Sequence, residues 1–260
     1  MAIISIITVN YNNKRGLERT IKSVVSQTYP NIEYIVIDGG SSDESKELIE
    51  NNKDNIAYWV SEKDAGIYDA MNKGIAKASG EYLLFLNSGD YLKDKFAIER
   101  VVLKGLTADL EIYRQKFEDG GISPIIRKEE IKPSYFISSV FPHQSTFIKR
   151  KLIEKIGGYR TDYKIVSDWI FWFEAVVTHK CTYNLNNASF SVMEGGGVSS
   201  SMDKCHNEMS RFLDECMDKK YITWDDIYPI SEKAQKQDYC SRNVLSAMLN
   251  KVAIWLGKHF

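Results

Sequence analysis

The chain has 260 residues, enough for one large domain or two small ones. Hydrophobic residues make up 43% and charged residues 27% of it, which excludes a disordered, collagenous or coiled-coil protein. Lys and Arg together number 34 and Asp and Glu 35, giving a formal net charge of -1. No overall basic field is therefore present to bind nucleic acid through its phosphates.

Strand-like and helix-like patterns alternate through the first 90 residues. Apolar runs predict strands at residues 3–9, 32–37, 57–60 and 82–86. Helical spacing of apolar residues follows the first and third runs, at residues 17–25 and 67–78. After the second run, Ser41 and Glu44 have the spacing of a capping box, which predicts a helix ending near residue 51. This alternation predicts an α/β fold with a mostly parallel central sheet flanked by helices.

The second half of the chain has weaker patterns. Helices are predicted at residues 96–103, 164–177, 202–219 and 242–257, and strands at residues 110–113 and 146–148. A glycine run at residues 195–197 predicts a boundary near residue 200. We therefore expect one domain over residues 1–200 and a helical C-terminal extension over residues 201–260.

Cellular location is indicated by what the sequence lacks. No apolar run approaches the roughly 20 residues of a membrane-spanning helix. The apolar start lacks a basic region and a cleavage site, so we interpret it as a strand and not as a signal peptide. The four cysteines, Cys181, Cys205, Cys216 and Cys240, show no paired spacing. We therefore expect free thiols and a cytoplasmic protein.

Three predicted strands end in polar clusters, at residues 8–12, 38–43 and 87–90. Ligands of open α/β sheets bind beyond the carboxyl ends of the strands, so these clusters predict a polar ligand site. Asp38 could accept a hydrogen bond from a base or ribose, and Tyr11 could pack against either. Gly39 and Gly40 leave room for close approach, and Asp90 could hold Mg²⁺ or Mn²⁺. Taken singly, each is also an ordinary turn residue.

Four segments resemble, in order and spacing, glycosyltransferase family 2, whose members have the GT-A fold. They are residues 6–12 (IITVNYN), 23–30 (SVVSQTYP), 33–43 (EYIVIDGGSSD) and 61–74 (SEKDAGIYDAMNKG). The last is similar to a subgroup, of the colanic-acid type, that builds bacterial capsule and exopolysaccharide. The resemblance covers residues 3–91 closely and implies a nucleotide-sugar-dependent transferase.

The resemblance also implies a donor site. Its residues would be Thr8, Asn10, Tyr11, Asp38, Gly40, Asp64, Asn87 and Asp90. The nucleotide would most often be UDP. Asn87 and Gly89 stand where the family commonly has metal-binding carboxylates, so Asp90 would be the remaining ligand for Mg²⁺ or Mn²⁺.

Asp168 in VSDWIFW (residues 166–172) best matches the family's general base, although Ser167 replaces the usual first acid. Asp168 could instead cap a helix, and we favour the base because the transfer needs a carboxylate near the acceptor. His143 and Gln144 resemble a family segment that contacts phosphate or acceptor. His143 could equally be an ordinary loop histidine.

The implied activity is inverting transfer of a hexosyl or N-acetylhexosaminyl group from a UDP-sugar to an acceptor hydroxyl, in surface polysaccharide synthesis. The acceptor would be a glycan or a lipid-linked oligosaccharide at the inner membrane face. The predicted last helix has an apolar face that includes Trp255, with Lys251 and Lys258 nearby. It either packs on protein, in this chain or in a homodimer, or lies peripherally on the membrane; we favour protein.

Two alternatives to a transferase remain. A sugar nucleotidyltransferase normally carries a glycine-rich basic loop after its first strand, whereas residues 10–16 hold one glycine. A catalytically inactive nucleotide-sugar-binding module would account for the missing carboxylates at Asn87 and Gly89. No G-x-G-x-x-G or Walker A sequence occurs, which disfavours a nicotinamide enzyme or a P-loop kinase.

Overall fold

The computed structural model describes residues 3–195 and 202–218. No helix within these ranges is long and apolar enough to cross a membrane. Cys181, Cys205 and Cys216 form no disulfide. The predicted helix at residues 242–257, Cys240 and most of the glycine run lie outside the described residues.

Ten strands and eight α-helices make up the described chain. The strands are β1 (Ile4–Asn10), β2 (Ile32–Asp38), β3 (Tyr58–Ser61), β4 (Tyr82–Phe85), β5 (Tyr91–Leu92), β6 (Leu110–Tyr113), β7 (Lys116–Phe117), β8 (Thr146–Lys149), β9 (Tyr183–Asn186) and β10 (Ser191–Met193). The helices are α1 (Lys14–Val25), α2 (Ser45–Asn51), α3 (Ile67–Lys77), α4 (Ala97–Lys104), α5 (Tyr135–Ser138), α6 (Arg150–Ile156), α7 (Ser167–Phe173) and α8 (Met202–Asp218). Short 3-10 turns occur at Lys53–Asn55, Lys128–Glu130 and His143–Ser145.

The central sheet has seven strands in the order β3-β2-β1-β4-β8-β6-β9. Strands β3, β2, β1 and β4 are mutually parallel, whereas β8 is antiparallel to both β4 and β6. Strand β9 is parallel to β6. The predicted mostly parallel sheet is therefore confirmed, with one reversed strand inserted. A second sheet has the order β5-β10-β7.

Both faces of the central sheet are covered, as the apolar runs predict. All seven residues of β1 are buried, and successive side chains of a strand point to opposite faces. Ile7 packs in the cluster that contains α3, α6 and α7, whereas Ile4 and Ile6 pack with α1, α2 and α4. A strand buried on both sides needs a nearly continuous apolar sequence, which β1, β2 and β4 have.

The predicted capping box of α2 is wrong. Glu44 is the N-cap residue, with a positive φ of 64° and no side-chain cap bond. The Ser41 hydroxyl donates to Asp38 and accepts from the Asn12 amide, so it is engaged in the preceding loop. Asp43 Oδ1 instead accepts from the Ser45 hydroxyl at 2.6 Å, and α2 begins there.

The helix predicted at residues 164–177 is shorter. Helix α7 begins at Ser167 and ends at Phe173, and a π-helical segment continues over Glu174–Thr178. Its apolar residues do not form one face, because six of its seven residues are buried. The helix lies inside an aromatic cluster, where Trp169 and Phe173 both contact Phe212 of α8. Helix α7 is therefore largely enclosed by the core, unlike an amphipathic helix that lies on the surface.

Helix α8, the described part of the predicted extension, packs on the sheet domain. Phe212, Leu213 and Cys216 are buried in the same cluster as α7. Glu208 accepts hydrogen bonds from the backbone amides of residues 164–166. These contacts attach α8 to the segment leading into α7. The domain boundary near residue 200 stays a prediction.

Gly74 of α3 provides a test of this packing. A Cβ at Gly74 would overlap the Ile7 Cγ2 methyl of β1, which a β-branched side chain in a central strand cannot move aside. We expect Gly74→Ala to destabilise the fold by about 1–3 kcal/mol through overpacking, despite a helix-propensity gain of up to about 1 kcal/mol. Thermal unfolding should show a Tm lowered by about 2–4 °C per kcal/mol.

Ala76 of the same helix is exposed and supplies the control. Ala76→Leu adds volume where nothing obstructs it and should leave Tm nearly unchanged. A Gly74→Ala protein as stable as the Ala76→Leu protein would contradict the close contact of α3 with β1.

Candidate functional site

The polar strand ends predicted from the sequence meet at one edge of the central sheet. Asn10 closes β1 opposite Asp38, which closes β2, and Ser61 closes β3 opposite Asp38. Asn87 follows β4, which lies on the other side of β1. Parallel strands bring their carboxyl ends together, so four chain segments converge on this edge.

The Asp38 carboxylate is fully buried and carries four hydrogen bonds. Its Oδ1 accepts from Asn10 Nδ2 at 2.7 Å and from the Ser41 hydroxyl at 2.5 Å. Its Oδ2 accepts from the Ser61 hydroxyl at 2.6 Å and from the Ser41 amide at 2.9 Å. Burial alone would raise the pKa of Asp38, but these bonds outweigh it and hold the pKa below its usual value. The ionised carboxylate thus ties three strand ends together.

Tyr11 and Asp64 lie over Gly39. A Cβ at Gly39 would be 2.6 Å from Asp64 Oδ2 and 3.3 Å from Tyr11 Cδ2, so glycine makes their approach possible. Asp64 Oδ1 accepts from the Gly66 amide at 2.9 Å, and the Tyr11 side chain is 67% exposed. Gly40 has φ +78°, which favours glycine. Gly39 therefore allows a carboxylate and an exposed aromatic ring to lie close together at this edge, where they could hydrogen-bond to a ligand and pack against it.

Thr8 and Asn10 are both buried and donate within the protein, whereas Asn10 Oδ1 finds no hydrogen-bond partner among the described residues. The Thr8 hydroxyl donates to the Leu86 carbonyl at 2.8 Å and lies 3.1 Å from the Tyr34 hydroxyl. Asn10 Nδ2 donates to Asp38 and, at 3.2 Å, to the Ser41 hydroxyl. The structure therefore places both side chains behind the edge, and their contact with a donor stays a prediction.

Asp90 is buried beyond β4, beside Gln144 and Glu194. Burial raises the pKa of Asp90 to about 6. Its Oδ1 accepts from the Glu194 backbone amide at 3.0 Å, and the Gln144 side chain also hydrogen-bonds to it. The Glu194 carboxylate lies where a Cβ at Gly89 would be. The sequence analysis did not identify Glu194. Its carboxylate occupies the space that Gly89 leaves because it has no side chain.

This arrangement fits a divalent metal held largely by substrate. Carboxylate oxygens are the donors that Mg²⁺ and Mn²⁺ prefer, and Asp90 and Glu194 supply them from two segments. Within residues 3–195 and 202–218, no group of three or more His, Cys, Asp or Glu residues could hold a metal by itself. Asn87 Oδ1 is buried and finds no hydrogen-bond partner in those ranges. Donor oxygens and water would have to complete the shell.

Asp168 joins His143 and Asn87 in one hydrogen-bonded chain. Asp168 Oδ2 lies 3.2 Å from His143 Nδ1, and His143 Nε2 lies 3.2 Å from Asn87 Nδ2. The Asp168 side chain is 20% exposed, so a second reactant can reach it. Burial opposes its charge, but hydrogen bonds from His143, Tyr68 and the Trp169 amide hold the pKa of Asp168 below its usual value. The structure therefore brings an ionised carboxylate to the strand-end edge.

Asp168 lies in the first turn of α7, whose N-cap residue is Val166, with no side-chain cap bond. Tyr68 of α3, which sequence reasoning also missed, donates to Asp168 Oδ1 at 2.8 Å. Ser61 could have been found from its strand end, as Asn10 and Asp38 were. Tyr68 and Glu194 carry no such signal, because their partners lie about 100 residues away.

Solved structures share this fold at low sequence identity. TarS of S. aureus (residues 1–349), in complex with UDP-GlcNAc, matches with a TM-score of 0.66 and 17% identity over 83% of this chain and 66% of that one. Against the longer TarS structure, the chain spans 40% of the length. The mannosyltransferase PcManGT of Pyrobaculum calidifontis, with GDP-Man and Mn²⁺, matches with a TM-score of 0.64 and 14% identity, over 97% and 81%. These neighbours confirm the GT-A fold.

Curated relatives agree with these structures. An uncharacterized glycosyltransferase of Mycobacterium tuberculosis is 37% identical over 187 residues, 67% of this chain and 69% of the relative. A PGL/p-HBAD biosynthesis glycosyltransferase of Mycobacterium bovis is 29% identical over 178 residues, 64% and 67% of the two chains. Residues 5–157 match the family model described as glycosyl transferase family 2. With the fold and the strand-end site as they are, the chain belongs to glycosyl transferase family 2.

Proposed function

We propose that the protein transfers a sugar from a UDP-sugar to an acceptor hydroxyl, with inversion at the anomeric carbon. The observation that carries this proposal is the hydrogen-bonded chain from Asn87 through His143 to Asp168. It connects the strand end assigned to the donor with an ionised and partly exposed carboxylate. A donor site and a base at one edge are the minimum that a single displacement requires.

Asp168 would act as the general base. Its lowered pKa leaves it ionised at neutral pH, so it can take the proton of the acceptor hydroxyl. The acceptor oxygen forms a bond to the anomeric carbon while the bond from that carbon to the diphosphate breaks. The UDP leaves with the electron pair of the broken bond. Attack opposite the leaving group inverts the anomeric centre.

The donor would bind against Tyr11 and Asp64, which cover Gly39. Asp64 Oδ2 would accept a hydrogen bond from a base N–H or a ribose hydroxyl, and the exposed Tyr11 ring would pack on either. Asp90 and Glu194 would hold Mg²⁺ or Mn²⁺ at the diphosphate. When bound, the metal would neutralise negative charge developing on the departing group.

The substrates proposed are those that the resemblance implies. The transferred group would be a hexosyl or an N-acetylhexosaminyl unit, and the acceptor a glycan or lipid-linked oligosaccharide of a bacterial surface polysaccharide. The TarS complex with UDP-GlcNAc and the PGL/p-HBAD relative are consistent with this range. We also propose a cytoplasmic location, with a homodimer or peripheral membrane contact as further interactions.

Removing the charge of Asp168 tests the base. We expect Asp168→Asn to lower kcat by about 10²–10⁴-fold, because general-base catalysis contributes about that much. Calorimetric titration should give an unchanged Kd for UDP. The control is Asp54→Asn, which removes an exposed carboxylate that is distant from Asp168 in the sequence. Turnover equal to the control would reject Asp168 as the base and favour another base, whereas UDP binding without turnover in the parent protein would favour the inactive binding module.

Asp64 provides a test of the donor surface. We expect Asp64→Asn to raise the Kd for UDP by about 10–100-fold, because a hydrogen bond to a charged group contributes about 1.5–3 kcal/mol. Glu62→Gln, in the same loop and exposed, is the matched control and should bind UDP normally. If both variants bind UDP as the parent protein does, Asp64 does not contact the nucleotide.

The metal site can be tested without an activity assay. We expect Asp90→Asn and Glu194→Gln each to weaken Mn²⁺ binding to the UDP complex, measured by electron paramagnetic resonance. The loss should be at least about tenfold, since even outer-shell partners of a metal contribute about 10–100-fold. Glu118 forms an ion pair with Arg19, as Glu194 does, so Glu118→Gln controls for loss of that contact. Unchanged Mn²⁺ affinity in the Glu194→Gln protein would remove Glu194 from the site.

A further inference from the structure

The Tyr68 hydroxyl has one proton and two acceptors. It lies 2.6 Å from the Ile165 carbonyl oxygen and 2.8 Å from Asp168 Oδ1. Both distances are those of good hydrogen bonds, yet a hydroxyl has a single hydrogen to donate. The carbonyl can only accept. The direction of the Tyr68 proton must therefore depend on the charge of Asp168.

Nothing but the hydroxyl torsion needs to move for this change. Tyr68 is buried on α3, and its ring packs 5.7 Å from the ring of Tyr159. Rotation about the C–O bond turns the proton from one acceptor to the other. The hydroxyl stays hydrogen-bonded in both directions, so neither state leaves a buried donor unsatisfied.

The second oxygen of Asp168 has a fixed donor. With Nδ2 of the Asn87 amide facing the ring, as in this structure, His143 Nε2 accepts from it. His143 Nδ1 then carries the ring proton and donates to Asp168 Oδ2. In this arrangement His143 has no alternative acceptor. Tyr68 is thus the partner of Asp168 that can respond to its protonation.

We propose that Tyr68 is a positioning residue for Asp168, whose hydroxyl donates to the ionised carboxylate and turns to the Ile165 carbonyl when the carboxyl is protonated. The inference rests on the proposed role of Asp168 as base. In the forward step a bond forms between a carboxylate oxygen and the proton of the acceptor, and the acceptor O–H bond breaks. The Tyr68 proton then turns away from the neutral carboxyl. It returns when Asp168 loses its proton to solvent, which restores the base for the next turnover.

The pH dependence of kcat distinguishes this role from simple packing. A base is active above its pKa, so kcat falls as the pH drops through that value. Removing a donor to the ionised form raises the pKa of Asp168 and moves this acid limb to higher pH. Burial raises the pKa values of Tyr159 and Cys205, which also interact with Asp168, and keeps them neutral there. Asp90, whose pKa burial raises to about 6, also loses its charge on acidification, but it does so equally in the parent protein and in both tyrosine variants, so a shift specific to Tyr68→Phe comes from Asp168.

The experiment compares Tyr68→Phe with Tyr163→Phe. Tyr163, in the segment that precedes α7, also donates to a carboxylate. Its acceptor is Glu215 Oε1 of α8, at 2.6 Å. We expect Tyr68→Phe to shift the acid limb upward by about 0.5 unit or more and to lower the plateau kcat several-fold, with the Kd for UDP unchanged. Tyr163→Phe should leave the limb where the parent protein has it.

Three results separate the possibilities. If Tyr68→Phe lowers Tm but leaves the limb in place, while Asp168→Asn is inactive, Tyr68 has a structural role only and the inference fails alone. If Asp168→Asn retains turnover, the base and the inference fail together. If Tyr163→Phe shifts the limb as far as Tyr68→Phe, the shift does not come from the hydroxyl beside Asp168, and the inference is overturned.

Discussion

The buried Asp38 carboxylate is the interaction on which the rest of the site depends. It lies at the end of β2, between the ends of β1 and β3, and bonds to a side chain from each. A buried charge is costly unless hydrogen bonds compensate it, and here four donors do so. The same bonds commit Ser41 to the loop, which sets where α2 begins. The edge is thus preformed by a charge inside the protein, and no ligand is needed to organise it.

A second set of contacts joins this edge to the C-terminal half of the described chain. His143 lies just before β8 and Asp168 in α7, yet both connect to Asn87 at the end of β4. Helix α7 is largely enclosed by aromatic residues of the core and α8. A carboxylate held in such a helix has little freedom to move. The position of Asp168 relative to Asn87 is therefore set by packing between distant parts of the chain, and not by a single loop.

The sequence predicted the elements that local pattern determines. Strands β1, β2 and β4 are continuous apolar runs, and the spacing of α3 fixes its buried face, so both were found close to their observed bounds. The capping box failed because the Ser41 hydroxyl donates to Asp38, three residues before it, and accepts from the Asn12 amide across the loop. Tyr68 and Glu194 could not be found, since their roles depend on partners about 100 residues distant. A sequence shows the local patterns of strands and helices, whereas it does not show contacts between residues that only the fold brings together.

The reversed direction of β8 has a consequence for where functional residues occur along the chain. Parallel strands β1 to β4 deliver to the edge the residues that follow them, such as Asn87. Strand β8 is antiparallel to β4, pairing Leu83 with Ile148, so its amino end lies at that edge instead. The residues it delivers are those that precede it, His143 and Gln144. The segment before β8 therefore reaches this edge from outside the sheet, and β8 then leads the chain back into the sheet. The residues of that segment can vary while β8 keeps its register with β4.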